Sequence, residues 1–319
     1  MEIATKNLQS DENIRRMAAA ARPGVGVAKI QELTEGLCNV AYDISWEDGT
    51  NSILKVASPD RSHNTSNEVS LMKAEVRAMK IVKERSTVPV AEVLYYDTSH
   101  TLCDGDYFFM EKLPGENLMY LNDSLPVNVR DGLQEELGKI AAELSRVQHD
   151  TFGFLGEDEG YDSLYPFVRR LLANLISDAK RREIDICYDG ETLLEGLERD
   201  KSCFELVEKP SLVHWDMWIG NVFVKDRHVS GIIDWERAMW GEPFMDDRFR
   251  AHNRETAFLR GYGQITFSAE EMTRLRWYDV ILYLTMMIEV FYREFDNLGQ
   301  YEWAKEQLQS VVETLQLGN

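Results

Sequence analysis

The chain has 319 residues, 44% of them hydrophobic and 28% charged, the balance of a soluble globular protein with a sizeable core. Thirty-five basic against 55 acidic residues leave a net charge of -20, which repels nucleic acid and anionic membranes and makes both poor partners. The N-terminus, MEIATKNLQSDEN, has no apolar stretch of the kind a signal peptide needs. Cys38, Cys103, Cys187 and Cys203 are far apart, with no CxxC pair, and read as reduced thiols of a cytoplasmic protein.

In chain order, Ser10 to Ala21 predicts a first helix, capped by Ser10 and stopped at Pro23-Gly24. Strands follow near Val27–Thr34, Val40–Trp46 and Ser52–Val56, with Asp48-Gly49 as a hairpin turn. Val69, Met72, Val76, Met79 and Val82 recur every three or four residues and predict a helix over Asn67–Glu84. Two more strands, Val93–Tyr96 and Tyr107–Glu111, precede Lys112-Leu113-Pro114-Gly115, which reads as a hinge. Beyond it the pattern is helical. Leu133, Leu137, Ile140, Leu144 and Val147 form one stripe, Tyr165–Arg182 and Glu191–Val207 predict two further helices, and Trp277–Phe295 predicts the most buried one. The apolar run Tyr278–Phe291 is broken by Asp279 and Glu289 and is too short for a membrane span. A β-rich lobe joined by a hinge to a helical lobe places a cleft between them.

One stretch departs from this helical run. LVHWDMWIGNVFVKDRHVSGIIDWERA, Leu212 to Ala238, sets polar residues between two strand-like segments, Val222–Val224 and Ile232–Ile233. Paired as a hairpin, these segments bring Asn221, before the first, near Asp234, after the second, with Asp216 on the preceding loop. An amide oxygen and a carboxylate at one point are hard ligands suited to Mg²⁺. A second carboxylate nearby can orient a hydroxyl and accept its proton. Metal, base and phosphates in line are what phosphoryl transfer needs.

The series His214-Trp215-Asp216 to Asn221, Ile233-Asp234-Trp235 and Gly241-Glu242-Pro243 to Asp246 resembles the aminoglycoside phosphotransferase family, the small-molecule branch of the protein-kinase-like fold. Gly36-Leu37-Cys38-Asn39 resembles its phosphate-covering loop. Ile53-Leu54-Lys55-Val56 resembles the strand bearing the nucleotide lysine, and Ala74 to Met79 the helix whose Glu pairs with it. Met110-Glu111 to Gly115 resembles the hinge. The resemblance implies an α+β, two-lobed kinase-like fold, with residues 1–112 as the nucleotide-binding lobe and 113–319 as the helical lobe carrying the catalytic loop and acceptor site. It implies that Lys55 holds the phosphates of ATP and that Glu75 fixes Lys55. Asp216 is then the base, and Asn221 and Asp234 hold Mg²⁺. Gly36 and Asn39 cover the phosphates, and backbone groups near Glu111 and Leu113 meet the adenine.

Glu68, a heptad before Glu75, is an alternative partner for Lys55. His214 reads as a loop brace, Asp246 as a helix cap, and Trp235 and Trp240 as core. Trp215 stands where the family has Gly, so a bulky ring must fit beside the base, and Trp218 adds a second; this loop is somewhat reminiscent of fructosamine-kinase-like members. The reaction implied is ATP- and Mg²⁺-dependent O-phosphorylation of a small molecule, cationic or sugar-like, with an aminoglycoside-like acceptor favoured, by a monomer or homodimer. A ketosamine, choline, homoserine or macrolide acceptor is the alternative, as is a pseudokinase-type binding protein. The acidic run Glu157, Asp158, Glu159, Asp162, Asp246, Asp247, Glu270 and Glu271 offers carboxylates for a cationic acceptor if some of them face the cleft.

Overall fold

The computed structural model of the protein describes residues 7–34 and 39–317. Helix α1 (Asp11–Ala21) begins where the Ser10 side chain accepts from the Asn13 amide and where Asp11 and Glu12 meet the positive helix end. The strands β1 (Val27–Leu33), β2 (Val40–Trp46) and β3 (Asn51–Val56) follow, then helix α2 (Leu71–Arg85), β4 (Val93–Asp97) and β5 (Tyr107–Glu111). These strands form one antiparallel sheet in the order β1-β2-β3-β5-β4.

Strand alternation sorts the faces of this sheet. Leu54, Val56, Tyr107 and Phe109 join a small core with Ile14 and Met17 of α1. Ile53, Phe108 and Met110 join the main core with Met72, Val76 and Met79 of α2. Lys55 has the parity of Ile53, so the β3 pattern alone delivers it to the α2 face.

The chain then forms β6 (Glu116–Asn117), α3 (Leu118–Leu121), α4 (Val127–Leu144), β7 (Gly153–Phe154), α5 (Leu164–Arg181), α6 (Gly190–Arg199), α7 (Lys201–Phe204) and β8 (Ser211–Val213). Next come β9 (Val222–Lys225), β10 (His228–Ile232), β11 (Met239–Gly241), α8 (Thr256–Tyr262), α9 (Ala269–Tyr292) and α10 (Gly299–Leu315). Strands β9 and β10 form a tight hairpin. Lys225 pairs with His228, and Asp226 and Arg227 between them both take positive φ, 53° and 66°, the hand that suits a two-residue hairpin turn. Strand β6 adds to the outer side of β9. Gly115, just before it, has φ +100°, and the Val224 carbonyl oxygen lies 2.3 Å from where a Cβ would stand, so only glycine fits there. Helix α9 carries many of the largest buried side chains, and its start is closed by a capping box between Ser268 and Glu271. Among the described residues no helix is long and apolar enough to cross a membrane.

Three helices differ from expectation: α9 begins at Ala269, eight residues before the expected Trp277, because Ser268 caps it there, and it ends at Tyr292; the other two are cut by side-chain bonds. Helix α2 starts at Leu71, not Asn67, because the preceding residues bond elsewhere. The Thr65 amide donates to Glu68 (2.8 Å), Ser66 is held by Asp178 of α5, Asn67 donates to the Leu171 carbonyl, and Ser70 is left-handed at φ 48°. Glu68 therefore does not lie on α2 and shares no helical face with Glu75. The expected helix over Glu191–Val207 breaks at Asp200, whose carboxylate accepts from Trp277 Nε1 (2.9 Å) and pairs with Arg199.

Candidate active site

The β9–β10 hairpin sets the site. Where β10 ends, the Ile233 amide donates to the Asn221 carbonyl (3.0 Å), so Asn221 and Asp234 stand level at the mouth of the hairpin. Asn221 Nδ2 donates to the Asp216 carbonyl (2.8 Å) and to its Oδ2 (3.1 Å). Both amide hydrogens are thus directed at Asp216, and the Asn221 side-chain oxygen carries no bond among the described residues. His214 braces the loop from beneath. Its Nε2 donates to the Ile233 carbonyl (2.9 Å), and its Nδ1 accepts from the Asp216 amide (3.2 Å), which fixes the neutral tautomer. The ring is fully buried against Trp235, and burial pushes its pKa down to about 4.

Lys55 crosses from the sheet to this hairpin. Its Nζ lies 2.6 Å from Glu75 Oε1 and 2.6 Å from Asp234 Oδ1. Burial works against the ammonium, but Asp234, Glu75 and Glu236 together more than offset it and hold its pKa above the ordinary lysine value. Glu75 is 1% exposed, and its second oxygen is buried with no partner among the described residues. Burial raises the Glu75 carboxyl, Lys55 opposes this, and the negative charges of Asp234 and Glu236 add to the rise. At Asp234, burial also pushes upward, but the Lys55 ammonium wins and the carboxyl sits below its usual range. Its backbone is left-handed, φ 59°, and its second oxygen is unbonded among the described residues.

Asn39 does not reach Lys55. Its amide donates to Glu236 Oε2 (2.9 Å), which links the start of β2 to the turn after Asp234. Gly36 lies outside the described residues. The Glu111 amide is already bonded to the Glu92 carbonyl (2.9 Å), while the Leu113 side chain packs where Gly231 leaves room on β10. These two residues lie on the passage from sheet to hairpin.

Glu68 serves a different group. It pairs with Arg237 (3.1 Å) and with Arg293, just past the end of α9, and Arg237 also pairs with Glu289 of α9. This four-membered cluster spans residues 68 to 293. Beside it, burial raises the Asp216 carboxyl well above its usual value. Arg237 opposes that rise, and the charges of Asp247, Asp234 and Glu289 add to it.

Trp215 is 7% exposed and lines a cavity with Phe154, Leu171, Arg237 and Glu289; Asp216 is not among its walls. The Trp215 backbone is left-handed at φ 76° and held by Asp246. Asp246 also caps the short turn Asp247–Phe249. Trp218 is half-exposed and covers Gly220. Of the acidic run, Glu157 pairs with Arg170 and Asp158 with Lys73 and Arg77, Glu271 closes the α9 capping box, Glu270 accepts from the Ser268 hydroxyl (2.9 Å), and the charge of Asp247 bears on Asp216.

Glu236, Arg237 and Glu289 were missed from the sequence. Glu236 had a local signal, a carboxylate two residues after Asp234. The pairing of Arg237 with Glu289, 52 residues away, had none.

A five-stranded lobe with one internal ion-paired lysine, set on a helical lobe with a catalytic-type hairpin, is the α+β fold of the kinase-like phosphotransferases of small molecules. Residues 29–278 match the model of the phosphotransferase enzyme family, and the chain belongs to that family, which includes the aminoglycoside phosphotransferases. No curated protein matches the chain in sequence. Solved structures that resemble it include a thermostable mutant of the aminoglycoside phosphotransferase APH(4)-Ia in ternary complex with AMP-PNP and hygromycin B (16% identity, 95% of this chain and 98% of that one, TM-score 0.66). A protein assigned as a fructosamine-3-kinase from Thermobifida fusca YX-ER1 is similar at 16% identity over 94% and 99% of the two chains, TM-score 0.69. So is APH(2")-IIa in complex with gentamicin, at 16% identity over 98% of each chain, TM-score 0.65. At these identities the likeness is one of fold.

Proposed function

We propose that this enzyme is an ATP- and Mg²⁺-dependent O-phosphotransferase acting on a hydroxyl of a small molecule, with residues 1–112 receiving the nucleotide and 113–319 the acceptor. The observation that carries the reading is Lys55 held at 2.6 Å by both Glu75 and Asp234, one hairpin width from the Asn221–Asp216 pair. Neighbours of the same fold solved with AMP-PNP or ADP support the nucleotide.

The donor set fits the metal. Asp234 and Asn221 each keep one oxygen unbonded among the described residues, and a carboxylate with an amide oxygen suits a hard cation that retains several waters. Bound there, Mg²⁺ would neutralise phosphate charge. The chain's own residues do the rest. Lys55, fixed by Glu75, anchors donor phosphates as a point charge. Asp216 accepts the acceptor's hydroxyl proton at a carboxylate oxygen, with Asn221 Nδ2 holding that carboxylate in place. His214 stays neutral and keeps the Asp216 loop on the hairpin. Gly36 and Asn39 would cover the phosphates, and backbone groups near Glu111 and Leu113 would meet the adenine. Catalysis is then mainly positioning and charge stabilisation.

The fold does not choose the acceptor, since neighbours named for hygromycin B, gentamicin and fructosamine share it equally. The test is ADP release over a panel of aminoglycoside, macrolide, ketosamine and choline acceptors, with Asp234→Ala as the control. Acceptor-dependent ADP release that is lost in Asp234→Ala supports the reading. Mg-nucleotide binding with no ADP release from any acceptor would favour a binding protein instead.

A further inference from the structure

Among the described residues four arginines are buried, and three of them are ion-paired: Arg250 with Asp279, Arg274 with Glu242 and Arg293 with Glu68. The fourth, Arg248, is 1% exposed and has no ion pair among the described residues, and its Nη2 is buried with no partner there either. A buried cation in that state costs stability. What it holds is the loop of the proposed base. Its Nε donates to the carbonyl of Met217, the residue after Asp216, at 2.7 Å, and its Nη1 donates to Asn253 Oδ1 (3.3 Å).

The two residues before Arg248 hold the other side of Asp216. Asp246, itself 3% exposed, accepts from the Trp215 amide (3.0 Å), and the Asp247 amide donates to the Trp215 carbonyl (3.1 Å). Asp246 also accepts from the Arg248 amide (3.2 Å), which ties the three contacts into one turn. The amide and carbonyl of Asp216 itself are bonded within the loop, to His214 and Asn221. Arg248 is the one donor to the Met217 carbonyl among the described residues. A guanidinium donor makes that bond charge-assisted, stronger than a neutral one.

We propose that Arg248 is a positioning residue for the reaction, fixing Asp216 by holding the Met217 carbonyl through its Nε. This rests on the phosphotransferase reading, which makes Asp216 the base. A reacting group displaced by about 1 Å costs roughly 10²-fold in rate, so the effect is read in turnover and not in nucleotide affinity.

The test compares two neutral side chains of nearly equal size. Arg248→Met has no donor, whereas Arg248→Gln keeps an N–H at the place of Nε. Hydrogen exchange of the full chain, read by mass spectrometry, should be at least tenfold faster over residues 213–218 in Arg248→Met, with β3 and the β9–β10 hairpin within twofold of the wild type. Arg248→Gln should stay within threefold throughout. ADP release from Mg-ATP with water as the only acceptor should fall at least tenfold in kcat in Arg248→Met, with KM within threefold, and less than threefold in Arg248→Gln. On an Asp216→Asn background, Arg248→Met should cost less than threefold more, because it acts through Asp216. Equal exchange over 213–218 in Arg248→Met and Arg248→Gln, or faster exchange spread evenly over the protein, overturns the proposal. If Arg248→Met does not fold, Arg248→Leu, which also lacks a donor, carries the comparison. Asp216→Asn releasing ADP as fast as the wild type would sink the phosphotransferase reading's base and leave the hold on Met217, read by exchange, standing.

Discussion

Asp216→Asn keeps the side chain's size and an oxygen for Asn221 Nδ2, but removes the proton acceptor. Turnover should fall roughly 10²–10⁴-fold with Mg-nucleotide affinity unchanged. Steady-state rates beside calorimetry check this, and near-normal kcat would take Asp216 out of the mechanism. His214 makes a separate prediction about stability. Its pKa is about 4 in the folded protein against 6.5 for the free side chain, so the unfolded chain takes up the proton first. The stabilising contribution is whole above pH 6.5 and is lost as pH falls from there toward 4, to a limit of about 3 kcal/mol. Urea unfolding at pH 7.5 and pH 5 should show this loss, and His214→Gln should remove most of it. An unchanged pH slope in that variant would mean another group carries the effect. These local residues were legible because the His214–Asn221 spacing lies within eight positions and the hairpin pattern beside it is regular. Lys55 and Asp234, 179 positions apart, meet through tertiary structure that no spacing encodes, and only the family resemblance connected them.

At the scale of elements, α2 exists to present Glu75. Met72, Val76, Met79 and Val82 bury one side of the helix, and that burial fixes the rotation at which Glu75 meets Lys55. Since either change unseats the same ammonium, Lys55→Ala and Glu75→Ala should be strongly non-additive in kcat/KM. Additive losses would show that the pair does not act as a unit. With Glu68 committed to Arg237 and Arg293, Glu68→Ala should leave the double-mutant coupling unchanged. Strands and the presence of the long helices were readable from periodicity, whereas the starts of α2 and α9 and the break after α6 were not. The start of α2 and the break after α6 are set by side chains reaching distant partners, Ser66 to Asp178 and Trp277 to Asp200, and these bonds override local helical pattern.

Over the whole molecule, the order of a β-rich part followed by a helical part was plain from the sequence. The continuity of the core was not. Ile53 and Phe108 of the sheet, the apolar side of α2 and the interior of α5 and α9 belong to one packed cluster, and only the α1 side of the sheet has a core of its own. The net charge of -20 acts at this scale as well. Its field reaches about 30 Å at 0.01 M salt and about 8 Å at 0.15 M. An amine-bearing acceptor should therefore lose kcat/KM several-fold between these conditions through a slower encounter, while a neutral acceptor should not. Initial rates at the two salt concentrations decide it, and equal salt sensitivity for both acceptors would exclude steering.

The stretch before α2 is fastened to the helical part at many points. Arg182 donates to the Ser62 carbonyl (3.0 Å), His63 bonds the Tyr292 carbonyl (2.8 Å), Ser66 is held twice by Asp178, and Glu68 is ion-paired to Arg293. Helix α2 is therefore gripped from two sides, since Met72, Val76 and Met79 share the main core with Ile53, Phe108 and Met110 of the sheet while its lead-in is tied to the helical half. The Lys55–Glu75 bond spans the sheet and a helix whose seat both halves provide, so loosening that lead-in loosens the phosphate anchor with it.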